Sequence, residues 1–323
     1  MSIYKNKKII VLFLAPVTIG LLVFVYYPLI QTIIGSLYKW VSYSPDRKWV
    51  GIANYLAIFQ KKGFLRILFN NTIYAILSVV CQVGLAMVMA ACLEEIFMRK
   101  FQKFFRTVLF IPSLISMSVI GLLWKCIFNP NTGPLNQLLV QVFHVQNQPG
   151  WLGNASLAIF CCIFISQWQN VGYCMLLDLI GIQKIPQEIH YAALIDGASS
   201  VKKFWYVTLP MSKESMLVTA LITTIGSCKI FTEIQILTGG GPGRATEGLA
   251  TAMYRAAFNN DEMGVASAYA VVIFVITLVL SLIQMKLSRT GEEAEQCNII
   301  DGILTLGKYW CFCSFVCLQL LLY

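Results

Sequence analysis

The chain has 323 residues, of which 58% are hydrophobic and only 12% are charged, and its mean hydropathy is +0.71. Soluble globular proteins are about 45–50% apolar and about 25% charged, so this composition excludes an ordinary soluble domain and indicates an integral membrane protein. The net charge of +9 does not indicate a nucleic-acid partner, because the Lys and Arg residues lie mainly at the ends of apolar runs, where such residues orient membrane helices.

Six apolar segments are long enough to cross a bilayer, whose hydrocarbon core requires about 20 residues of helix. We place them at residues 9–35, 72–93, 107–128, 155–180, 216–238 and 264–286. The first is longer than the roughly 7- to 15-residue apolar core of a signal peptide and has no cleavage site of small residues, so we interpret it as an uncleaved span. The sequence therefore predicts an all-α integral membrane protein with six transmembrane helices.

The basic residues predict the orientation, because cytoplasmic loops are enriched in Lys and Arg. With the N-terminus in the cytoplasm, most basic clusters lie inside, and the external loop at 129–154 has no Lys or Arg. The loop at 36–71 carries six basic residues and would lie outside, but long loops are translocated largely regardless of charge. Its aromatic residues, including Trp40 and Trp49, suit a segment at the membrane interface, and an ordinary external connector fits it equally well.

Polar side chains inside the spans are costly, and they cluster in the fourth and fifth helices. The candidates are Gln167, Trp168, Gln169, Asn170 and Tyr173 in the fourth helix and Lys229 and Glu233 in the fifth. One interpretation is a substrate pathway, in which amides bind hydroxyl groups and aromatic rings stack on a sugar ring. The other is hydrogen bonding between helices, with Lys229 and Glu233 paired along one helical face. Both interpretations remain open for the amides. For Lys229 and Glu233, pairing with each other is the favoured interpretation.

The sequence predicts no catalytic, cofactor or metal site. It has no phosphate-binding loop, no HExxH motif and no nucleophile with a base, and its two histidines, His144 and His190, are placed on opposite sides of the membrane. The eleven cysteines are an odd number and lie mostly in apolar runs, which favours small packing groups over disulfides or zinc ligands. A membrane-bound enzyme is therefore disfavoured.

The stretch at 188–210, between the fourth and fifth spans, is interpreted as a docking surface. Its apolar spacing predicts two short amphipathic helices joined at Gly197. The first helix carries Ala192 and Ala193 rather than leucines, so another protein's surface can approach its backbone closely. With the N-terminus in the cytoplasm, this stretch is cytoplasmic.

The spacing of this stretch resembles the EAA-loop signature of ABC-importer permease subunits: Ala192-Ala193, then Gly197 after three residues, then Val207-Thr-Leu-Pro210 after nine more. The string Ala192-Ala-Leu-Ile-Asp-Gly-Ala198 and the later Leu237-Thr-Gly-Gly-Gly-Pro242 resemble the carbohydrate-uptake branch of that family. Shorter similarities extend the resemblance from about residue 10 to residue 288: Gly133-Pro-Leu-Asn136, Trp151-Leu152, Ile185-Pro186 and Gly264-Val-Ala-Ser-Ala268.

The resemblance implies a six-helix permease subunit in the cytoplasmic membrane of a prokaryote, with cytoplasmic coupling helices between helices 4 and 5. Such a subunit pairs with a second permease subunit, here expected to be a different chain, and receives its sugar or glycerol phosphate from an extracytoplasmic solute-binding protein. It docks on a dimer of cytoplasmic ATPase subunits. The residues that the resemblance assigns to docking are Glu188, Tyr191, Ala192, Ala193, Asp196, Gly197, Ala198, Leu209 and Pro210.

Two features depart from the family pattern. Tyr191 occupies the position of the family's glutamate, and Glu188, one turn earlier, is the candidate substitute. Residues 1–289 are expected to form the permease domain, whereas 290–323 do not match and form a further span, an interfacial piece or an aberrant end. The alternative functions are a secondary transporter or channel without ATPase partners, and an ABC permease for a solute other than a sugar.

Overall fold

The computed structural model describes residues 7–144 and 148–289, and the regular secondary structure of this part of the chain is helical apart from one short hairpin. Its first elements are α1 (Lys7–Leu21, a π-helical turn Leu22–Tyr26, and Tyr27–Gly35), β1 (Tyr38–Lys39), β2 (Lys48–Trp49), α2 (Ala53–Gln60) and α3 (Phe64–Ser78, a π-helical turn Val79–Val83, and Gly84–Glu94). Then follow α4 (Ile96–Arg99), α5 (Gln102–Leu114), α6 (Met117–Ile127), α7 (Pro134–Phe143) and α8 (Ala158–Gln183). The last are α9 (Gln187–Ile195), α10 (Ser200–Lys203, a π-helical turn Phe204–Thr208, and Leu209–Met211), α11 (Lys213–Cys228), α12 (Thr232–Leu237), α13 (Leu249–Tyr254 and a π-helical turn Arg255–Asn259) and α14 (Met263–Arg289). The tail at 290–323, for which a further span was one alternative, lies outside the described residues.

Four helices of the described residues are long and apolar enough to cross a membrane: Leu12–Gly35 in α1, Phe64–Glu94 in α3, Ala158–Gln183 in α8 and Met263–Lys286 in α14. They confirm the first, second, fourth and sixth predicted spans. However, α3 begins at Phe64 rather than at residue 72, and the expected long loop is correspondingly shorter. Hydropathy does not indicate this earlier helix start, because polar side chains lie in the first two turns of the helix.

The third predicted span is a bent pair of helices rather than one helix. α5 and α6 meet at an angle of 93°. Ile115 and Ser116 between them are extended, with ψ angles of 136° and 135°, and Pro112 in the last turn of α5 has no N–H to donate. Gly121 lies inside the unbroken α6, so the bend is at Ile115 and Ser116.

The fifth predicted span is also interrupted. α11 ends at Cys228 and α12 begins at Thr232, so the prediction of one continuous helix over 216–238 was wrong. Lys229 and Glu233 consequently do not share one helical face, which was the geometry expected for their pairing. The predicted stop after Leu237 is confirmed, because α12 ends there and the glycine-rich loop follows.

The described residues form two compact units, one of residues 7–61, 253–282 and 289 and the other of 62–252 and 283–288. In the first, β1 and β2 pair in an antiparallel hairpin with Tyr38 opposite Trp49. The Asn54 amide donates to the carbonyl oxygens of Ser36 (2.7 Å) and Tyr38 (3.0 Å) and so fixes the hairpin. A Cβ on Gly264, at the start of α14, would overlap the Tyr38 carbonyl oxygen, so the close packing requires glycine there.

In the second unit, α8 is the central helix and packs against α3, α5 and α11. Small residues make the close approach possible. A Cβ on Gly172 would lie 1.9 Å from the Leu109 oxygen of α5, and one on Gly181 would lie 2.2 Å from the Ser215 hydroxyl of α11. The stretch at 188–210 follows this central helix after a short connection.

Candidate functional site

The stretch at 188–210, hereafter the docking segment, consists of α9 and α10 joined by a tight turn. The Ala198 N–H donates to the Ala193 oxygen (2.9 Å) and the Gly197 N–H to the Leu194 oxygen (3.1 Å), which is the Schellman pattern that ends a helix. Gly197 has a φ of +71°, and a Cβ there would meet nothing within 4 Å. The turn therefore requires glycine for its left-handed backbone and not for space.

The second docking helix begins with an N-cap. The Ser199 side chain accepts a hydrogen bond from the Lys202 N–H (3.4 Å), and its extended backbone (ψ 159°) separates the helix from the preceding turn. The prediction of two short helices joined at Gly197 is thus confirmed, and both end signals lie within the segment's own sequence.

The outer face of the docking segment carries large apolar side chains. Ile195 is 85% exposed, Tyr206 80% and Tyr191 55%, and Leu194, Val201 and Trp205 are also exposed. Of the residues predicted for docking, Glu188, Tyr191, Ala192, Asp196, Gly197 and Pro210 are exposed, and Ala193, Ala198 and Leu209 are half-buried. The predicted docking residues do not include the exposed Leu194, Ile195, Val201, Trp205 and Tyr206, although Val201 and Trp205 belong to the apolar spacing that predicts the second helix.

The inner face of the docking segment rests on the protein. Ile189, Phe204 and Leu209 pack against an apolar cluster formed by α3 and α8. His190 is half-buried beside them, and burial, together with the Lys203 charge, lowers the pKa of its imidazole from the usual 6.5. The segment is therefore supported from one side, and its other side is exposed.

The polar residues predicted for the fourth span are mostly engaged in helix packing. Gln167 donates to the Ser78 hydroxyl (2.9 Å), and Asn170 donates to the Ser166 oxygen one turn earlier (2.9 Å). Gln169 donates to the Ile115 oxygen (2.8 Å), a carbonyl left free by the bend between α5 and α6. Gln167 and Gln169 therefore bond to other segments of the chain, as the packing interpretation expected, whereas Asn170 bonds within its own helix.

The aromatic residues of the fourth span are accessible. Trp168 and Tyr173 are each 40% exposed, although most of α8 is buried. The Trp168 ring contacts Trp124 of α6 edge-on, with centroids 5.6 Å apart. Of the residues predicted for the pathway, Trp168 and Tyr173 are therefore the two with exposed rings.

Two asparagines form hydrogen bonds with the backbone around the interruption of the fifth span. They were not identified from the sequence. The Asn71 amide donates to the Ser227 and Cys228 oxygens at the end of α11 (3.3 Å each), and its carbonyl accepts from the Leu249 N–H (2.9 Å). The neighbouring Asn70 donates to the oxygens of Ala245 (2.8 Å) and Glu247 (3.0 Å). Irregular backbone at membrane depth is tolerated only where other groups satisfy it, so these asparagines allow the break.

Lys229 and Glu233 lie on either side of this break, both half-buried. The Glu233 side chain interacts with the Ser166 hydroxyl of α8. The structure therefore places Glu233 against the fourth span, next to the polar group predicted there.

Known proteins are similar to this chain in sequence and in fold. The profile of the family described as "Binding-protein-dependent transport system inner membrane component" matches residues 49–290. The probable ABC transporter permease protein YurN of Bacillus subtilis (strain 168) is 47% identical over 289 residues, which cover 90% of this chain and 99% of YurN. The trehalose/maltose transport system permease protein MalF of Thermococcus litoralis is 30% identical over 290 residues, covering 90% of this chain and 97% of MalF.

The fold is shared with a chain in the crystal structure of a bacterial alginate ABC transporter in complex with an alginate pentasaccharide-bound periplasmic protein. That chain matches with a TM-score of 0.77 and 21% identity, covering 88% of this chain and 96% of its own length. These similarities identify a multi-pass membrane permease subunit and not an enzyme. The chain belongs to the family of binding-protein-dependent transport system inner membrane components.

Proposed function

We propose that this chain is one of two permease subunits of an ATP-binding-cassette importer and that residues 1–289 form its transmembrane domain. The importer takes up a carbohydrate (an oligosaccharide, a monosaccharide or a glycerol phosphate) through the cytoplasmic membrane. The observation that carries the proposal is the docking segment, with its apolar outer face on a chain that has no nucleotide-binding motif. A secondary transporter or channel works without ATPase subunits and therefore does not require such a face.

The docking segment is the surface that an ATPase subunit covers. Both of its helices, which meet at Gly197, expose large apolar side chains, and exposed apolar surface of this kind is characteristic of a protein-binding site. With the N-terminus in the cytoplasm, the segment lies on the side where ATP is available. Tyr191 stands where the family's glutamate is expected and offers a ring and a hydroxyl, so this contact is apolar or hydrogen-bonded rather than ionic.

The solute passes the polar and aromatic residues of the fourth and fifth spans. Trp168 and Tyr173 stack on sugar rings, since aromatic faces bind the apolar faces of sugars and these two rings are accessible. Gln167 and Gln169 position α8, because their amides donate to Ser78 and to the Ile115 oxygen, whereas the Asn170 amide donates within α8. The relatives named for trehalose/maltose and alginate transport support a carbohydrate as the solute.

The docking proposal is tested with two leucines of similar exposure. Leu194 in the docking segment is 43% exposed, and Leu138 on α7 is 49% exposed. Leu194→Glu should prevent the ATPase from co-purifying and abolish uptake, with normal amounts of the subunit in the membrane. Leu138→Glu should leave the ATPase bound. An ATPase that binds equally to both variants contradicts the docking proposal.

The solute is tested by uptake assays over a panel of sugars, glycerol phosphates, amino acids and phosphate, with the cognate binding protein present. Uptake should depend on ATP and persist when the proton gradient is collapsed, whereas a secondary transporter shows the reverse. Trp168→Ala should raise the half-saturating sugar concentration for uptake, and Trp168→Phe should restore most of the wild-type value because a ring remains. Uptake confined to amino acids or phosphate contradicts the carbohydrate proposal.

A further inference from the structure

The cytoplasmic end of α3, as oriented above, carries two adjacent acidic residues, Glu94 and Glu95. The C-terminus of a helix bears partial negative charge, so carboxylates are unfavourable there unless cations or hydrogen-bond donors offset them. Both side chains are also partly shielded, with exposures of 11% for Glu94 and 30% for Glu95. Their partners therefore show what keeps them in this position.

Glu94 is connected to the first docking helix. Its carboxylate accepts hydrogen bonds from Gln102 (2.9 Å) and Gln183 (3.3 Å) and is paired with Arg99. The Arg99 guanidinium also donates to the Gln187 side-chain oxygen (3.1 Å), in the first turn of α9. One carboxylate thus joins the ends of α3 and α8 and, through the arginine, the start of the docking segment.

Glu95 is connected to the second docking helix. Its carboxylate lies 2.8 Å from the Lys203 ammonium of α10, and the Lys203 side chain is only 10% exposed. A lysine buried to this extent is costly without a counter-charge, so this ion pair depends on both partners. The Met98 and Arg99 N–H groups donate to the backbone carbonyl oxygen of Glu95 (2.9 and 3.0 Å), so the next turn of the chain begins at the same residue.

We propose that Glu94 and Glu95 are positioning residues that hold the two docking helices against the end of α3, so that α3 and the docking segment move as one body. The proposal rests on the function proposed above, since it assigns the transmission of ATP-driven motion to a particular helix. Chain connectivity joins the docking segment to α8 and α11, and apolar packing places it against α3 and α8. The two carboxylates add a polar anchor to the end of α3 for each docking helix.

The proposal is tested by charge exchange between Glu95 and Lys203. Glu95→Lys and Lys203→Glu each place two like charges together, and the double exchange restores opposite charges. Chymotrypsin cleavage after the exposed Trp205 and Tyr206 is followed by mass spectrometry on the purified full-length subunit, so it does not depend on the ATPase. Cleavage should be about tenfold faster in each single variant and should return towards the wild-type rate in the double variant.

Uptake and ATPase activity are then measured in the full transporter. Each single variant should retain bound ATPase and hydrolyse ATP while uptake falls about tenfold, and the double exchange should restore uptake. Lys203→Arg keeps the charge and should preserve both readouts. Lys100→Glu makes the same change at an exposed lysine near Glu95 and should have no effect on cleavage or uptake.

Two results would overturn the proposal. One is a wild-type cleavage rate or wild-type uptake in both single variants, and the other is a double exchange that remains as impaired as the single variants. Failure of the proposed function is distinguishable, because it would appear as absent ATP-dependent uptake by the wild-type chain, whatever the cleavage rates are.

Discussion

Replacement of Gly197 gives the sharpest test of the docking turn. The φ of +71° lies in the left-handed region, which costs a residue with a Cβ about 1–2 kcal/mol. That strain lowers the ratio of formed to unformed turn by about 5- to 30-fold. Because no atom lies within 4 Å of a Cβ at this position, alanine and leucine should cost about the same within this chain. Asparagine, which adopts left-handed conformations more readily, should cost less.

The assay is solute uptake by cells that carry Gly197→Asn, Gly197→Ala or Gly197→Leu, with the membrane content of each variant measured by immunoblot. We expect normal insertion, nearly normal uptake with asparagine, and a strong loss with leucine. Gly150 is a matched control, since a Cβ there also meets nothing within 4 Å and its φ is not left-handed. Gly150→Leu should leave uptake unchanged.

The series also separates backbone strain from crowding by a partner. If alanine and leucine reduce uptake equally, strain in the turn is the cause. If the loss grows steeply from alanine to leucine, a partner surface approaches Gly197 closely. Wild-type uptake with Gly197→Leu would refute the reasoning that the turn must be held in its left-handed form.

Three further outcomes are expected. Asn71→Ala should lower the stability of the detergent-solubilised subunit by about 2–4 kcal/mol in thermal unfolding, because it leaves buried backbone groups unpaired, whereas the exposed Asn131→Ala should change it little. Gly172→Ala should prevent stable folding, as judged by size-exclusion chromatography, because its Cβ would overlap backbone; Gly226→Ala, where a Cβ meets nothing within 4 Å, should be neutral or stabilising. Since the pKa of His190 is lowered from 6.5, its contribution to stability is complete above pH 6.5 and is lost as the pH falls through the lowered value. Protease cleavage of the docking segment should therefore accelerate on acidification, and His190→Gln should remove that acceleration; a wild-type rate that is independent of pH would contradict it.

The sequence by itself determined the class of protein and the local form of the docking segment. Apolar runs of about 20 residues predict membrane spans because a bilayer offers the backbone no other partners. The helix–turn–helix around Gly197 is equally local, because the Schellman turn and the Ser199 cap are closed by residues at most five positions apart. These features need no distant partner, so they could be recognised in the chain alone.

Only the tertiary structure decided where the spans are interrupted and what supports the docking segment. The carbonyl groups freed between α11 and α12 are satisfied by Asn71, which lies 156 residues from Ser227. The oxygen freed between α5 and α6 is satisfied by Gln169, 54 residues from Ile115. The ion pair of Glu95 with Lys203 likewise joins distant parts of the chain. Hydropathy reports how apolar a segment is, but whether a helix breaks depends on donors and acceptors that folding brings from elsewhere.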